Sequence, residues 1–128
     1  MISTDGMFSG FSVRDVAEAR EFYAALGVTV GEEMGALTLD IGGGKHVFVY
    51  EKPNHEPATY TVLNFDVPDI DAAVAELEAS GIQLIRYEGF DQDEHGIARG
   101  SAGQGPDIGW FTDPSGNILS VLATPAER

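Results

Sequence analysis

The chain repeats itself weakly at a spacing of 54 residues, and this repeat constrains its fold more than any other feature. Seven positions hold identical or similar residues in both copies. They are Phe11, Val13, Asp15, Val16, Ala19, Gly27 and Val28 in the first copy and Phe65, Val67, Asp69, Ile70, Ala73, Gly81 and Ile82 in the second. Seven matches at one spacing favour a duplicated unit over coincidence.

Each copy begins with a pattern typical of a strand followed by a helix. Apolar residues alternate with small or polar ones around Phe11 and Phe65, which is the period of a half-buried strand. Asp15 and Asp69 then stand where an N-cap is expected, ahead of apolar stripes at helical spacing. Gly27 and Gly81 are placed to end the helices.

Three further strands are expected after each helix. In the first copy they are residues 28–31, 36–41 and 46–50, and in the second 82–87, 108–112 and 118–122. The sequence therefore predicts an α+β fold of two βαβββ modules in one domain. Module 1 covers about residues 7–51, a Pro-containing linker covers 52–58, and module 2 covers about 59–123.

Two connections in the second module stand out. Asp113-Pro-Ser-Gly116 has the residue preferences of a type I turn and predicts a hairpin between the last two strands. The segment 88–105 is rich in glycine and acids, lacks periodicity, and has only a short counterpart in module 1. Its length leaves two alternatives, a mobile flap over a site or plain surface disorder.

Composition excludes several classes of protein. The chain has no cysteine, which removes disulfides, thiolate metal sites and a cysteine nucleophile. Its formal net charge of −14 argues against nucleic acid as a partner, since phosphates would be repelled. Residues 1–6 carry neither a basic stretch nor an apolar run, and no segment is long enough for a membrane span. We therefore expect a cytoplasmic protein without a membrane partner.

Taken together, the two modules resemble the vicinal oxygen chelate superfamily, which includes glyoxalase I, bleomycin-resistance proteins and extradiol dioxygenases. The resemblance is carried by Phe22-Tyr23 late in the first helix and by Asp113-Pro-Ser-Gly-Asn117 before the last strand. It covers about residues 7–122 and implies sheets curved around a shared cup, with the helices outside. Because this fold hosts several activities, it does not identify one.

Catalytic members of that superfamily hold a divalent metal ion through His or Glu on the first and last strand of each module. Counting from the helix caps and turns, the resemblance places Phe8, Phe48, Val62 and Ser120 at those four positions. None is a carboxylate or imidazole ligand. The prediction is accordingly a protein with no metal and no cofactor, and with no assigned catalytic residue.

The same placement makes the cup an apolar cavity with a few polar groups, which is the usual composition of a small-molecule site. The candidate ligand-binding residues are Phe8, Ser12, His46, Phe48, Tyr50, Val62, Asn64, Trp110 and Ser120. Trp110 either stacks on a planar ligand or completes the core. His46 either bonds a ligand or has a structural role.

Three functions follow as hypotheses. The first is a metal-free, homodimeric protein that binds a planar or cationic small molecule, with antibiotic sequestration as one version. The second is a lyase, isomerase or dioxygenase whose metal ligands are displaced to His46, Glu51, Asp66 or His95. The third is a regulatory or structural module whose cup is filled by its own side chains.

Overall fold

A computed structural model of the protein describes residues 1–100 and 105–124. The elements run in the order β1 (Ser9–Val13), α1 (Val16–Ala25), β2 (Val30–Glu33), β3 (Ala36–Gly42), β4 (Lys45–Glu51), β5 (Thr61–Asp66), α2 (Ile70–Ala79), β6 (Asp107–Thr112) and β7 (Ile118–Ala123). They form an α+β protein with one four-stranded and one three-stranded sheet.

The chain divides into two compact units. The first unit comprises Met1–Pro57 with Asp113–Asn117, and the second comprises Ala58–Thr112 with Ile118–Arg128. The turn between β6 and β7 belongs to the first unit. The module and linker bounds expected from the sequence stay a prediction. Among the described residues, no helix is long and apolar enough to cross a membrane.

Both helices begin as the sequence predicts. Asp15 Oδ1 accepts the N–H of Glu18 at 3.0 Å, and Asp69 Oδ1 accepts that of Ala72 at 3.1 Å. Each cap satisfies an N–H that has no partner within its own helix. Gly27 and Gly81 follow the helices with φ of 96° and 83°, a conformation that glycine adopts without strain.

The sheet of the first unit has the order β1-β4-β3-β2, with β1 parallel to β4 and the other pairs antiparallel. Phe11 and Val13 of β1 and Val47 and Val49 of β4 are buried on one face. The opposite face carries Gly10 and Ser12, Phe48 and Tyr50, and Thr38. The alternation predicted for β1 and β4 is confirmed.

The sheet of the second unit, β5-β7-β6, repeats this topology with β5 parallel to β7. Gly10 pairs with Phe48 in the first unit, and Asn64 pairs with Ser120 in the second. The first strands are 54 residues apart and the last strands 72. The difference of 18 residues equals the length of the segment 88–105, which lies between β5 and β7.

The strand predicted at residues 82–87 is wrong. Within the described part of the chain, one backbone bond joins it to β6, from the Ile85 N–H to the Trp110 carbonyl at 2.7 Å. Next to it, Ile108 exchanges two backbone bonds with Ala98, of 2.8 and 3.0 Å, in an isolated bridge. The side chain of Gln92 meanwhile bonds the Ile85 carbonyl and the Tyr87 N–H. These contacts satisfy the groups that a fourth strand would need.

Of the two alternatives for the segment 88–105, plain surface disorder is wrong for its first part, residues 88–100. Ile97 is only 1% exposed, and Arg99 forms ion pairs with Asp71, Asp93 and Asp107. Burial alone would raise the pKa of Asp93, yet N–H groups of Ile97 and His95 and the Arg99 guanidinium hold it below its usual value. The mobile-flap alternative stays a prediction, and residues 101–104 of that segment lie outside the described residues.

The predicted hairpin turn is confirmed. The Gly116 N–H donates to the Asp113 carbonyl at 3.0 Å, and the Asp113 N–H donates to the Asn117 carbonyl at 3.0 Å. Gly116 has a φ of 84°, which explains the glycine at this position. The turn joins β6 to β7, which pair antiparallel from Thr112 and Ile118 onward.

Candidate functional site

The floor of the candidate site is one row of residues across the sheet of the first unit. Gly10, Phe48, Thr38 and Gly31 follow one another on neighbouring strands. A Cβ on Gly10 would lie 2.8 Å from the Phe48 carbonyl oxygen, so this position requires glycine. The two outer positions carry no side chain, and the Phe48 ring between Gly10 and Thr38 is half-buried.

Aromatic rings continue from Phe48 in two directions. The Phe8 ring meets it edge to face, with centroids 6.3 Å apart and planes at 70°. The Tyr50 ring stacks on it at 6.1 Å and 28°. Phe8 is 69% exposed. The Phe48 and Tyr50 rings are close to parallel and the Phe8 ring stands across them, so the three rings form an angled aromatic surface against which a planar ligand could pack.

A cavity of about 500 Å³ lies against this surface, within the size range of small-molecule sites. It is lined by Asp5, Gly6, Met7, Phe8, Glu33, Met34, Thr38, Gly44, Lys45, His46 and Phe48. Of the predicted residues, the structure brings Phe8, His46 and Phe48 together here. Of the charged side chains that line the cavity, Asp5 and Glu33 are negative and Lys45 is positive.

Sequence analysis did not identify Asp5, Glu33, Met34, Thr38 or Lys45 as lining residues. Thr38 had a usable signal, since it lies between the buried Leu37 and Leu39 and must face the other side of β3. The others lie beside the cavity because of the strand pairing, which places Glu33, Met34 and Lys45 there, and because of the path of the chain before β1, which places Asp5. Neither could be derived without knowing which strands pair.

Ser12, another predicted residue, is engaged in a polar contact away from the cavity. Its hydroxyl lies 2.7 Å from His55 Nδ1, and His55 Nε2 lies 3.0 Å from the Ser115 carbonyl oxygen. A carbonyl only accepts, so Nε2 carries the proton and Nδ1 accepts the Ser12 hydroxyl. Both His55 nitrogens are thereby occupied, and Ser12 holds the linker against β1.

Four of the predicted residues lie in the second unit. Ser120 is fully buried and donates to Asn64 Oδ1 at 2.5 Å. Trp110 pairs with Ser120 across the β6–β7 ladder and is partly exposed. Val62 lies on β5 where the ladder with β7 is irregular, between Thr61 and Leu63.

Trp110 contacts an aromatic cluster that sequence analysis did not identify. Its ring lies 5.5 Å from that of Tyr87 and 5.4 Å from that of Phe90. With Tyr60 and Ile118 these rings line a smaller cavity of about 180 Å³ in the second unit. The predicted contact between Trp110 and a ligand stays a prediction.

The side chains at the four expected ligand positions do not fit a divalent metal ion. Phe8, Phe48 and Val62 have no donor atom, and the hydroxyl of Ser120 is committed to Asn64. Of the displaced candidates, Glu51 Oε1 accepts the Val16 N–H at 3.0 Å and His95 Nδ1 pairs with Glu78 at 3.0 Å. In residues 1–100 and 105–124, no three His, Asp or Glu side chains are grouped to hold a metal ion.

Comparison with known proteins decides the family. A sequence profile of the glyoxalase/bleomycin resistance protein/dioxygenase superfamily matches residues 8–121. The chain belongs to this superfamily. The match confirms the resemblance inferred from the sequence, including the α+β fold of the superfamily. No curated protein matches the chain in sequence.

Solved structures of superfamily type share this fold. A bleomycin resistance determinant encoded on the transposon Tn5 has a TM-score of 0.65 and 19% identity, with coverage of 94% of this chain and 98% of that one. The oxidase ChaP-H2 gives 0.65 and 19%, with 97% and 96% covered. A glyoxalase/bleomycin resistance protein/dioxygenase from Alicyclobacillus acidocaldarius gives 0.61 and 20%, with 93% and 90% covered. At these identities the likeness concerns the fold alone.

Proposed function

We propose that this superfamily member binds a planar, partly aromatic small molecule in the first-unit cavity without a metal ion. The observation that carries the proposal is the aromatic wall formed by the exposed Phe8 and the half-buried Phe48, at two positions where a metal-dependent member would place ligands. Ring faces supply apolar stacking area but no donor atom for a metal. The predicted homodimer and the cytoplasmic location stay predictions.

The charges of the chain and of the cavity lining indicate which class of ligand would bind. The chain carries a formal net charge of −14, and at the cavity the two carboxylates of Asp5 and Glu33 outnumber the ammonium of Lys45. An acidic protein attracts cations over long range, and an aromatic face adds a local attraction for them. We therefore infer a preference for a planar cation. Sequestration of a cationic antibiotic is one form that this function would take.

Proflavine, a planar tricyclic cation, is a suitable probe, and 1-anilinonaphthalene-8-sulfonate is its anionic counterpart. We expect proflavine to bind and to raise the melting temperature, because a ligand that binds only the folded state stabilises it. Phe8→Ala and Phe48→Ala should each raise the proflavine Kd about tenfold, since truncation removes the stacking surface. Calorimetric titration gives the Kd, and circular dichroism gives the melting temperature.

Ile41→Ala is the matched control, because Ile41 is exposed in the same unit and does not line the cavity. Its Kd should equal that of the parent. A parent that binds neither probe would contradict the proposal. Equal affinity of the parent and Phe48→Ala would place the binding site elsewhere.

A further inference from the structure

The turn between β2 and β3 is strained at Met34. Glu33 pairs with Ala36, so Met34 and Gly35 alone connect the two strands. Their φ angles are 51° and 80°. A two-residue connection with positive φ at both positions prefers Asn or Gly at the first. Methionine has no side-chain group that stabilises this left-handed conformation, so its presence is unfavourable to the fold.

Packing does not explain the methionine either. Met34 is 88% exposed, so its apolar side chain contributes little buried area to the first unit. It does line the cavity, together with Glu33, Phe8 and Phe48. A residue that strains its turn, is not buried, and borders an apolar cavity has a placement typical of functional sites.

We propose that Met34 is a ligand-contacting residue, whose thioether covers the bound aromatic ring so that the ring lies between Met34 and the Phe8–Phe48 pair. The inference rests on the proposed function and deepens it by assigning a specificity residue. A methionine suits this place because its flexible, polarisable side chain adapts to the outline of a ring and makes favourable sulfur–aromatic contacts. Glu33, the preceding residue, adds a negative charge at the same edge.

Two variants separate binding from strain. Met34→Asn relieves the turn, so the melting temperature without probe should rise by about 2–4 °C, yet the proflavine Kd should increase about three- to tenfold. Met34→Leu keeps both the strain and an apolar side chain. It should match the parent in melting temperature and stay within about twofold of its Kd.

The possible outcomes distinguish the inference about Met34 from the proposed function. If Met34→Asn binds proflavine as tightly as the parent, Met34 does not contact the ligand and the inference is overturned, whereas the proposed function stands. An unchanged or lower melting temperature of Met34→Asn contradicts the strain argument and overturns the inference as well. A parent that binds neither proflavine nor 1-anilinonaphthalene-8-sulfonate overturns the proposed function itself.

Discussion

Asp113→Ala is expected to lower the free energy of unfolding by about 3–5 kcal/mol. The Asp113 carboxylate is 3% exposed and accepts four hydrogen bonds. The donors are the Tyr23 hydroxyl at 2.7 Å, the Asn117 amide at 3.0 Å, and the backbone N–H groups of Ser115 and Asn117, both at 2.9 Å. Alanine would leave these buried donors unpaired.

This carboxylate connects the turn to α1 and β1 within the first unit. Tyr23 comes from α1, and the Asn117 amide also donates to the Ser12 carbonyl at 2.8 Å. Burial, with Asp113 beside it, raises the pKa of Tyr23 well above its usual range, so this hydroxyl stays a donor at neutral pH. The network therefore fixes β1, on which Gly10 forms part of the site floor.

Urea unfolding measures the loss, and Asp91→Ala, at an exposed aspartate, is the matched control. The control should stay within about 0.5 kcal/mol of the parent. Asp113→Asn should lie between the two, because its amide keeps one acceptor oxygen but turns an N–H toward the Asn117 donor. An Asp113→Ala protein as stable as the control would show that the network contributes nothing.

Ile97→Ala should also be strongly destabilising, by about 2–4 kcal/mol. Ile97 is almost fully buried although it lies in a segment whose sequence has the composition of a surface loop. Its N–H donates to Asp93 Oδ1 at 2.9 Å, and its carbonyl accepts the Asp93 N–H at 2.9 Å. Truncation of the Ile97 side chain would leave a cavity in the second unit, at a residue whose N–H and carbonyl are both hydrogen-bonded.

Ile41→Ala again serves as the control, since the same substitution at a side chain 57% exposed should cost less than about 0.5 kcal/mol. Denaturant unfolding of both variants gives the comparison. If Ile97→Ala costs as little as Ile41→Ala, the segment does not belong to the folded core, and a detached flap becomes the better description.

The fold was predictable where each feature depends on residues close in sequence. The helix caps at Asp15 and Asp69 and the turn at Asp113 follow from local chemistry, and all three are present. The alternation around Phe11 and Phe48 gave the correct faces of β1 and β4 because strand side chains alternate strictly.

The missing strand was not predictable in this way. Residues 82–87 have strand-like composition, but the side chain of Gln92 and the backbone of Ala98 take up the hydrogen bonds that a fourth strand would use. Gln92 and Ala98 both belong to the segment 88–105, whose sequence has no hydrophobic periodicity. Tertiary contacts thus override local propensity here.

The residues of the candidate site were likewise predictable only in part. Phe8, His46 and Phe48 follow from alternation and the resemblance, and they line one cavity. Met34 was not predictable as a lining residue. It lies in a two-residue turn with positive φ, and such turns are predicted from Asn or Gly at the first position, not from methionine.

The most direct test of metal-free binding is a calorimetric titration of proflavine into the parent, once with EDTA and once with added Zn²⁺ or Mn²⁺. Because Phe8 and Phe48 supply no donor atom, and no three His, Asp or Glu side chains of the described residues are grouped to hold a metal ion, we expect the same affinity and stoichiometry in each titration. Metal analysis of the purified protein should find less than one ion per chain. Binding that disappears in EDTA and returns with one equivalent of a divalent ion would contradict the account.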